Sequence, residues 1–529
     1  MFLYNFYKLK LIFISTFFLL VIFLPFIVGI WEEDKNISVV EKRFLAPFPS
    51  FNFNVNGIGK FITTFDKYYS DHFGFREFFV EKYKSLKYGL GDSPSIDVTL
   101  GKDGWLFLGS VKKGYNRYSD PIGDARNINL FSEDGLNQLS KEIQNFHFYL
   151  KCMGVKYIFV IAPNKHTVYF NKLPEYIKKV NEYSAADQLV QYLESNTDIH
   201  IVDLRKKMIE KKDDSQLYFK TDSHWNHFGA NLAQYEIMMK VQELFPGLMQ
   251  PELFQLQEDV GGVWGDLAGF VGACGLDDIN PQPIFKNSCE PVKQPANALP
   301  NEPHSYSCEG AELTALIYRD SFFTALQPYF ARKFRRSTYI WEKMTYSSLV
   351  KYIQANNIDI VIEEWVERDL PYVPNRSQEL ERACNRCKFL KSKKGIFLND
   401  FRSLSFNRHV KKLKDTGENL LLESIGNDPI LYFPSLPLEK GQTYIVHIVL
   451  ESSVSSILQL FYSGSRQSGY PFSERRSLRV EVHPGRNDVY LGLDYEYLGD
   501  LLRLDPIVGP GAVVIETIEI REINKQYPK

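Results

Sequence analysis

Two short stretches of this chain carry residue types that can do chemistry together. The first is Ala311-Glu-Leu-Thr-Ala-Leu-Ile-Tyr-Arg-Asp-Ser-Phe-Phe323, an apolar strand running into Asp320-Ser321 and then into an expected helix. A serine at such a turn stands at the edge of a sheet beside free helix N–H groups, which can stabilise an oxyanion, so Ser321 is a candidate nucleophile. Helix capping by Asp320 or Ser321 also accounts for these residue types. The second stretch is Tyr218-Phe-Lys-Thr-Asp-Ser-His-Trp-Asn-His227, which opens a helix near Phe228. Asp222 and His224 are two apart, so in an extended loop both project to one side, and the carboxylate can receive the imidazole Nδ1–H and orient the ring as a base. Asp222, His224 and His227 also have the residue types of a metal site. Three ligands within six residues need further anchors, the sequence offers none, and no metal or other cofactor is expected.

These residues must be held by a sheet. Short apolar strands at 156–162, 200–203, 313–318 and 358–363 alternate with amphipathic stretches at 132–152, 183–195, 228–244 and 345–356. Such alternation predicts an α/β fold, a mainly parallel sheet flanked by helices, with ligands gathered beyond the carboxyl ends of the strands. The loop after strand 156–162, with Asn164 and Lys165, ends at the same edge as Ser321 and can donate to an oxyanion or a sugar. From about Asn419, strands such as 431–433, 443–449, 457–461 and 478–482 are separated by Gly, Pro, Asn and Ser, which predicts a C-terminal all-β sandwich.

The 529 residues carry 62 Lys and Arg against 64 Asp and Glu, a net charge of −2, which argues against a nucleic-acid partner. That balance is an average over unlike parts. From Leu11 to Ile30, 16 of 20 residues are apolar and none is charged, which predicts one N-terminal transmembrane helix. A cleaved signal peptide is the rival reading, yet no small-x-small site follows the run. Lys8 and Lys10 precede it, Glu32, Glu33 and Asp34 follow, and Lys35, Lys42 and Arg43 lie close behind, so the flanking charges set orientation only weakly. Between Arg382 and Lys414, eleven Lys and Arg face one acidic residue, Asp400, a net of +10. This run reads as a solvated linker or as a landing site for an anionic polymer or lipid headgroups. The expected division is a transmembrane signal anchor (1–30), a tether and membrane-proximal helical region (31–94), an α/β domain (95–399), a basic linker (400–418) and a β-sandwich (419–529).

Six cysteines, all outside the apolar run, suit an oxidising compartment. Cys384-x-x-Cys387 reads as a local disulfide or two free thiols, since no second Cys or His pair completes a zinc site.

Thr221-Asp-Ser-His-Trp225 followed about a hundred residues later by Arg319-Asp-Ser-Phe322 resembles the SGNH-hydrolase-like domain of the alginate O-acetyltransferases AlgJ and AlgX and the related DHHW proteins. Asp71-His-Phe-Gly-Phe-Arg76, Gly101-Lys-Asp-Gly-Trp-Leu-Phe107, Ala162-Pro-Asn-Lys165, Gly265-Asp-Leu267 and Glu364-x-x-x-Arg368 follow the family's order over residues 40–375. The resemblance implies an SGNH-like fold with Ser321 as nucleophile, His224 as general base and Asp222 as its orienting carboxylate. It implies transfer of an acetyl group onto hydroxyls of an exported bacterial polysaccharide. The partners it implies are that polysaccharide and a membrane-bound acyltransferase that supplies the acetyl. It implies a single-pass protein of the bacterial inner membrane with its catalytic part in the periplasm or outside the cell. Arg319 departs from the family's usual Gly and stands beside the oxyanion position. Trp225 and Trp365 are candidate sugar platforms, and Arg368 a substrate residue or the partner of Glu364 one helical turn away. The sandwich resembles carbohydrate-binding-like modules through Leu502-Arg-Leu-Asp-Pro506, with Tyr462, Tyr470 and Phe472 near its loops. A carbohydrate esterase of the same fold and a non-catalytic glycan-binding or assembly protein are the alternatives.

Overall fold

The structure, a computed structural model, describes residues 2–523 except 32–33, 39–42, 51–54, 110, 113–117, 248–250, 260–264, 273–277, 287–288, 372–376, 393, 418, 440, 463–471 and 494–498. Cys274 and Tyr470 lie outside the described residues.

Phe2–Trp31 form one helix, α1. Within it Tyr7–Gly29 is long and apolar enough to cross a membrane, and its large apolar side chains from Tyr7 to Ile27 are exposed. The region expected to hold a tether and membrane-proximal helix, 31–94, carries two helices: α2 spans Val55–Asp71 and α3 spans Arg76–Gly89. They are separated by a break where Phe75 takes a left-handed φ of 66°. The turn between them meets α1 through Gly74. A Cβ there would lie 2.2 Å from the Pro25 carbonyl oxygen and 2.8 Å from the Gly29 nitrogen, so only glycine fits.

The α/β domain begins with α4 (Glu133–Cys152), capped by Ser132. There follow β1 (Lys156–Ala162), α5 (Ala185–Asn196), β2 (His200–Asp203), α6 (His227–Leu244) and the short α7 (Ala268–Val271). Next come β3 (Val292–Gln294), β4 (His304–Ser307), β5 (Thr314–Tyr318), β6 (Arg336–Ile340), α8 (Tyr346–Ala355) and β7 (Ile360–Val366). They make a seven-stranded sheet in the order β3-β4-β6-β5-β7-β1-β2. Strands β6, β5, β7, β1 and β2 are parallel, and β4 and β3 add an antiparallel edge. Helices cover both faces, which is why every residue of β5 and β7 is buried, including Glu363 and Glu364 of β7. Each buried Ile, Val or Phe contributes about 1.5–3 kcal/mol, so the sheet's centre is the rigid part of the domain. On one face lie Ile158, Val160, Phe322 and Trp225, and on the other Phe159, Ile161, Leu316 and Trp365.

Helix α9 (Gln378–Lys391) links this domain to the sandwich. Cys387 does not pair with Cys384. It forms a disulfide with Cys152 at the end of α4, while Cys384, one turn away on α9, is a buried thiol donating to the Asn145 carbonyl. A Cys-x-x-Cys on a helix separates its sulfurs by nearly a full turn, and the neighbouring helix supplies the nearer partner. A second disulfide joins Cys289 and Cys308. The other face of α9 docks on the sandwich, with Phe389 buried beside Ile445, Tyr490 and Ile523 and the Arg521 guanidinium 4.2 Å from its ring.

The sandwich comprises β8 (Lys394–Leu398), β9 (Ser405–Phe406), β10 (Val410–Asp415), β11 (Leu420–Ser424), β12 (Leu431–Tyr432) and β13 (Thr443–Ser452). Its remaining strands are β14 (Ser456–Tyr462), β15 (Ser477–Val482), β16 (Gly485–Leu493), β17 (Leu502–Asp505) and β18 (Gly511–Ile523). One sheet runs β10-β11-β18-β13-β16 with β8 added on β18, and the other β9-β12-β17-β14-β15. Residues 400–418, read from sequence as a linker, thus supply β9 and β10, and the lysines of β10 project from an edge strand, a placement that protects edges from unwanted pairing. Tyr462 is buried in the sandwich core and Phe472 packs near Tyr432 and Phe461, so neither side chain forms an open platform.

Candidate active site

Ser321 stands two residues beyond Arg319, where β5 gives way to a single helical turn, Phe322–Leu326. Two carboxyl groups clamp this turn. Asp320 Oδ1 accepts from the Phe322 N–H at 2.7 Å and Oδ2 from the Val366 N–H at 2.8 Å, while the Asp320 N–H donates to Glu364 Oε2 at 3.0 Å. Burial pushes the Asp320 carboxyl up, and burial together with the Asp320 charge pushes Glu364 well above the usual carboxylate range. The nucleophile candidate is therefore fixed to the carboxyl end of β7 through backbone contacts on both of its sides.

The second stretch folds as an extended loop closed by a bridge between Tyr218 and Trp225, then Asn226 caps α6 by accepting from the Phe228 and Gly229 N–H groups. Asp222 Oδ1 lies 2.7 Å from His224 Nδ1 and also accepts the His224 backbone N–H at 2.9 Å. His224 Nε2 lies 2.7 Å from Ser321 Oγ. The two stretches, 97 residues apart, thus meet in one hydrogen-bonded chain Asp222–His224–Ser321, with His224 28% exposed and so open to an incoming molecule. Burial raises the Asp222 carboxyl, but the His224 imidazole and the backbone N–H groups of Asp266 and His224 outweigh it and hold it at about 2.

Asp266, which residue types alone did not single out, completes this arrangement. Its backbone N–H donates to Asp222 Oδ2 at 2.7 Å, and its carboxylate accepts from the Ser223 N–H at 2.7 Å and the Ser223 hydroxyl at 2.6 Å. Burial and the Asp222 charge push the Asp266 carboxyl up. Gly265 makes the close approach possible, since a Cβ there would lie 2.1 Å from the Thr221 carbonyl oxygen. The signal in sequence was Gly265-Asp-Leu267, without any hint of its partner. Asp222, His224 and Asp266 each bring one ligand atom within 4.8 Å of the others. An ion seated there would take the Nδ1 and Oδ1 atoms that bond to each other. His227 does not join the cluster: its Nδ1 lies 3.3 Å from the Tyr329 hydroxyl.

The remaining candidates divide. Asn164 follows β1 and is buried, its N–H donating to Glu367 Oε2 at 2.9 Å and its Oδ1 accepting from Arg368 Nη1 at 3.3 Å, and its Nδ2 has no hydrogen-bond partner among the described residues. The Arg368 guanidinium lies 5.3 Å from the ring of Phe322, next to Ser321, which places Arg368 near the candidate site, whereas Glu364 faces Asp320. Lys165 does not face the site. Its buried Nζ donates to the carbonyls of Leu106, Lys220 and Asp222 and ties the 101–108 hairpin to the Asp222 loop, and burial pushes it down to about 7. Arg319 is likewise spent on structure, donating to the carbonyls of Asp320 and Pro300 and to Thr324 Oγ1, with its guanidinium 4.1 Å from the Trp341 ring. Trp225 is 1% exposed and its Nε1 donates to the Phe322 carbonyl at 3.0 Å, and Trp365 donates to buried Glu363. Both tryptophans are core, and neither offers a face to a sugar.

Residues 98–304 match the family described as the SGNH hydrolase-like domain of the acetyltransferase AlgX, a span that holds Asp222, His224 and Asn164 and ends before Ser321. The probable alginate O-acetylase AlgJ of Pseudomonas syringae pv. tomato is 26% identical over 241 residues, 44% of this chain and 57% of the relative. The chain spans 43–61% of the length of the curated relatives it matches. Among solved structures, the O-acetyltransferase domain of Pseudomonas putida AlgJ is 19% identical with a TM-score of 0.37, covering 55% of this chain and 99% of that one. Bacillus cereus PatB1 is 20% identical with a TM-score of 0.37, covering 51% and 95%. Over residues 98–304 the chain is thus similar to the SGNH hydrolase-like domain of AlgX, and over part of its length to AlgJ.

Proposed function

We propose that the protein is a serine-dependent O-acetyltransferase that moves an acetyl group onto hydroxyls of an exported bacterial polysaccharide. The observation that carries this reading is the chain Asp222–His224–Ser321, with 2.7 Å at each link. His224 takes the Ser321 proton as Oγ attacks the acetyl carbonyl, and Asp222 stabilises the imidazolium and fixes the tautomer that keeps Nε2 facing the serine. The Ser321 N–H and the unspent Nδ2 of Asn164, held by Arg368, are the donors assigned to the oxyanion. Collapse of the tetrahedral species expels the donor's alkoxide or amine, which takes the proton from His224, and leaves acetyl-Ser321. A sugar hydroxyl then gives its proton to His224 and attacks the acetyl carbonyl, and the Ser321 alkoxide leaves and recovers the proton. The acetyl donor is a membrane-bound acyltransferase, met at the bilayer that α1 crosses, with the catalytic part outside the cytoplasm.

The test is mass spectrometry of the full chain after exposure to p-nitrophenyl acetate. The expected result is a gain of one acetyl group at Ser321 that Ser321→Ala abolishes and that an added oligosaccharide discharges as acetylated sugar. Free acetate without acetylated sugar assigns the site to an esterase. No adduct at Ser321 removes both enzymes and leaves a glycan-binding or assembly protein.

A further inference from the structure

Helix α3 presents an apolar face that none of the described residues covers. Phe78, Phe79, Tyr83, Leu86 and Leu90 are 52–76% exposed. At 100° per residue they fall, with Phe75, within an arc of about 140° on one side of the helix. Lys84 lies about 170° round the helix from the middle of this arc and is buried with its Nζ donating to the Gly269 carbonyl, while Ser85, at the edge of the arc beside Phe78, donates its hydroxyl to the Gly272 carbonyl. The stripe therefore faces away from the side of α3 that Lys84 fastens to α7. Helix α2 repeats the pattern with Ile58, Ile62, Phe65 and Tyr69, all exposed and all on one face. A soluble monomer rarely exposes an apolar surface of this extent, and such surfaces mark a membrane or a partner.

The contacts of α1 decide which. Gly74, between α2 and α3, sits against Pro25 and Gly29, and the Tyr69 ring lies 6.2 Å from that of Phe26. Pro25, Phe26 and Gly29 are the last turns of the Tyr7–Gly29 span. Both amphipathic helices thus start or end at the depth where α1 leaves the hydrocarbon. Lys82, in the middle of the α3 stripe, holds its Nζ 5.6 Å from the Phe78 ring, and Lys87 holds its own 5.9 Å from the Tyr83 ring. Long stems along apolar surface with amines at the rim suit a boundary between acyl chains and anionic headgroups.

We infer that the exposed apolar face of α3, continued by α2, lies in the interfacial layer of the bilayer that α1 crosses. This rests on reading α1 as a membrane span. The face fastens the catalytic domain at a fixed height, because Lys84 and Ser85 of α3 hold α7, and α7 follows directly on Gly265-Asp266-Leu267 beside Asp222.

The test places the photocrosslinker benzoylphenylalanine at Phe79, Leu86, Phe17 and Lys411 of the full chain in vesicles of phosphatidylcholine and phosphatidylglycerol. Lipid adducts are read by mass spectrometry. The expected result is adducts at Phe79 and Leu86 within a few-fold of those at Phe17 in α1, and none at Lys411 on the sandwich. Adducts at Phe17 but none at Phe79 and Leu86 overturn the proposal and leave the span reading intact. No adduct at Phe17 overturns the span reading and the proposal with it. In native membranes, crosslinks from Phe79 to a protein in place of lipid assign the face to a membrane partner and overturn the proposal as well.

Discussion

The backbone N–H of Asp266 donates to Asp222 Oδ2 at 2.7 Å, so that Asp222 has one oxygen for His224 and the other for a loop more than forty residues away. The carboxylate cannot swing without breaking both. Replacing Asp222 with Asn presents an amide to His224 and favours the wrong tautomer, so we expect the acetylation rate of Ser321 to fall by about 10⁴-fold with little change in the apparent affinity for the ester. Pre-steady-state kinetics with p-nitrophenyl acetate measures both. A loss confined to affinity contradicts the role given to Asp222.

Gly265→Ala tests the loop from the other side. Its Cβ would meet the Thr221 carbonyl oxygen at 2.1 Å and the Asp222 nitrogen at 2.6 Å, both backbone atoms that cannot turn aside. The expected outcome is a folded protein whose turnover falls at least 10-fold, the penalty of displacing a general base's support. Circular dichroism melting separates this from unfolding.

Divalent zinc is expected to inhibit. The atoms of Asp222, His224 and Asp266 that lie within 4.8 Å of one another suit a small ion, and occupancy competes with the Asp222–His224 bond. Inhibition is expected to be reversed by a chelator and to weaken in Asp266→Ala. Full activity at high zinc contradicts the overlap.

Acid stability is set away from the site. Burial pushes the His166 imidazole from 6.5 down to about 3 and that of His227 from 6.5 to about 4. Between those values these two imidazoles bind more protons in the unfolded chain than in the folded one, so their contribution to stability is full above pH 6.5 and falls as pH is lowered. Asp222, held at about 2, keeps its charge throughout that range. In His166→Gln, whose amide can still donate to the Leu108 carbonyl as the ring does at 2.8 Å, the fall of Tm between pH 6.5 and 4.5 is expected to shrink. Scanning calorimetry across that range checks the sign.

The Cys152–Cys387 disulfide joins α4 to α9, which also carries the sandwich. Cys152→Ser is expected to destabilise the α/β domain by about 2–4 kcal/mol while leaving the Asp222–His224–Ser321 geometry, at the opposite end of the strands, intact. Chemical denaturation of the two proteins gives the difference, and an unchanged midpoint refutes it.

Strand and helix alternation was legible where a parallel strand carries a short apolar run, and β1, β2, β5 and β7 fall within two or three residues of the expected bounds at each end, whereas β6, Arg336-Ser-Thr-Tyr-Ile340, carries no such run and was missed. Asp222, His224 and Ser321 were legible because chemistry restricts their types. Their neighbours were not, because the same residue type serves opposite ends. Trp225 and Lys165 stand beside the site in sequence yet turn inward, to the Phe322 carbonyl and to three other carbonyls, since the loop needs its own polar groups satisfied. The pairing of Cys387 with Cys152 depends on how two distant helices pack, and the β-strand at 410–415 is hidden by its lysines, which suit an edge as well as a linker.

Strand β7 has a consequence for the order in which this protein comes into being. Asp222 and His224 lie on the half of the domain built around β1 and β2, and Ser321 on the half built around β5 and β6. These halves share no strand pairing except through β7, whose Ile360 pairs with Lys156 on one side and Ala315 on the other. A nascent chain ending before residue 360 already holds all three residues yet has no sheet to bring them together. Pairing across some two hundred residues is slow and late in folding. The contacts that join Asp222, His224 and Ser321 thus form only when the whole α/β domain has been synthesised, and an unfinished chain holds the three residues apart.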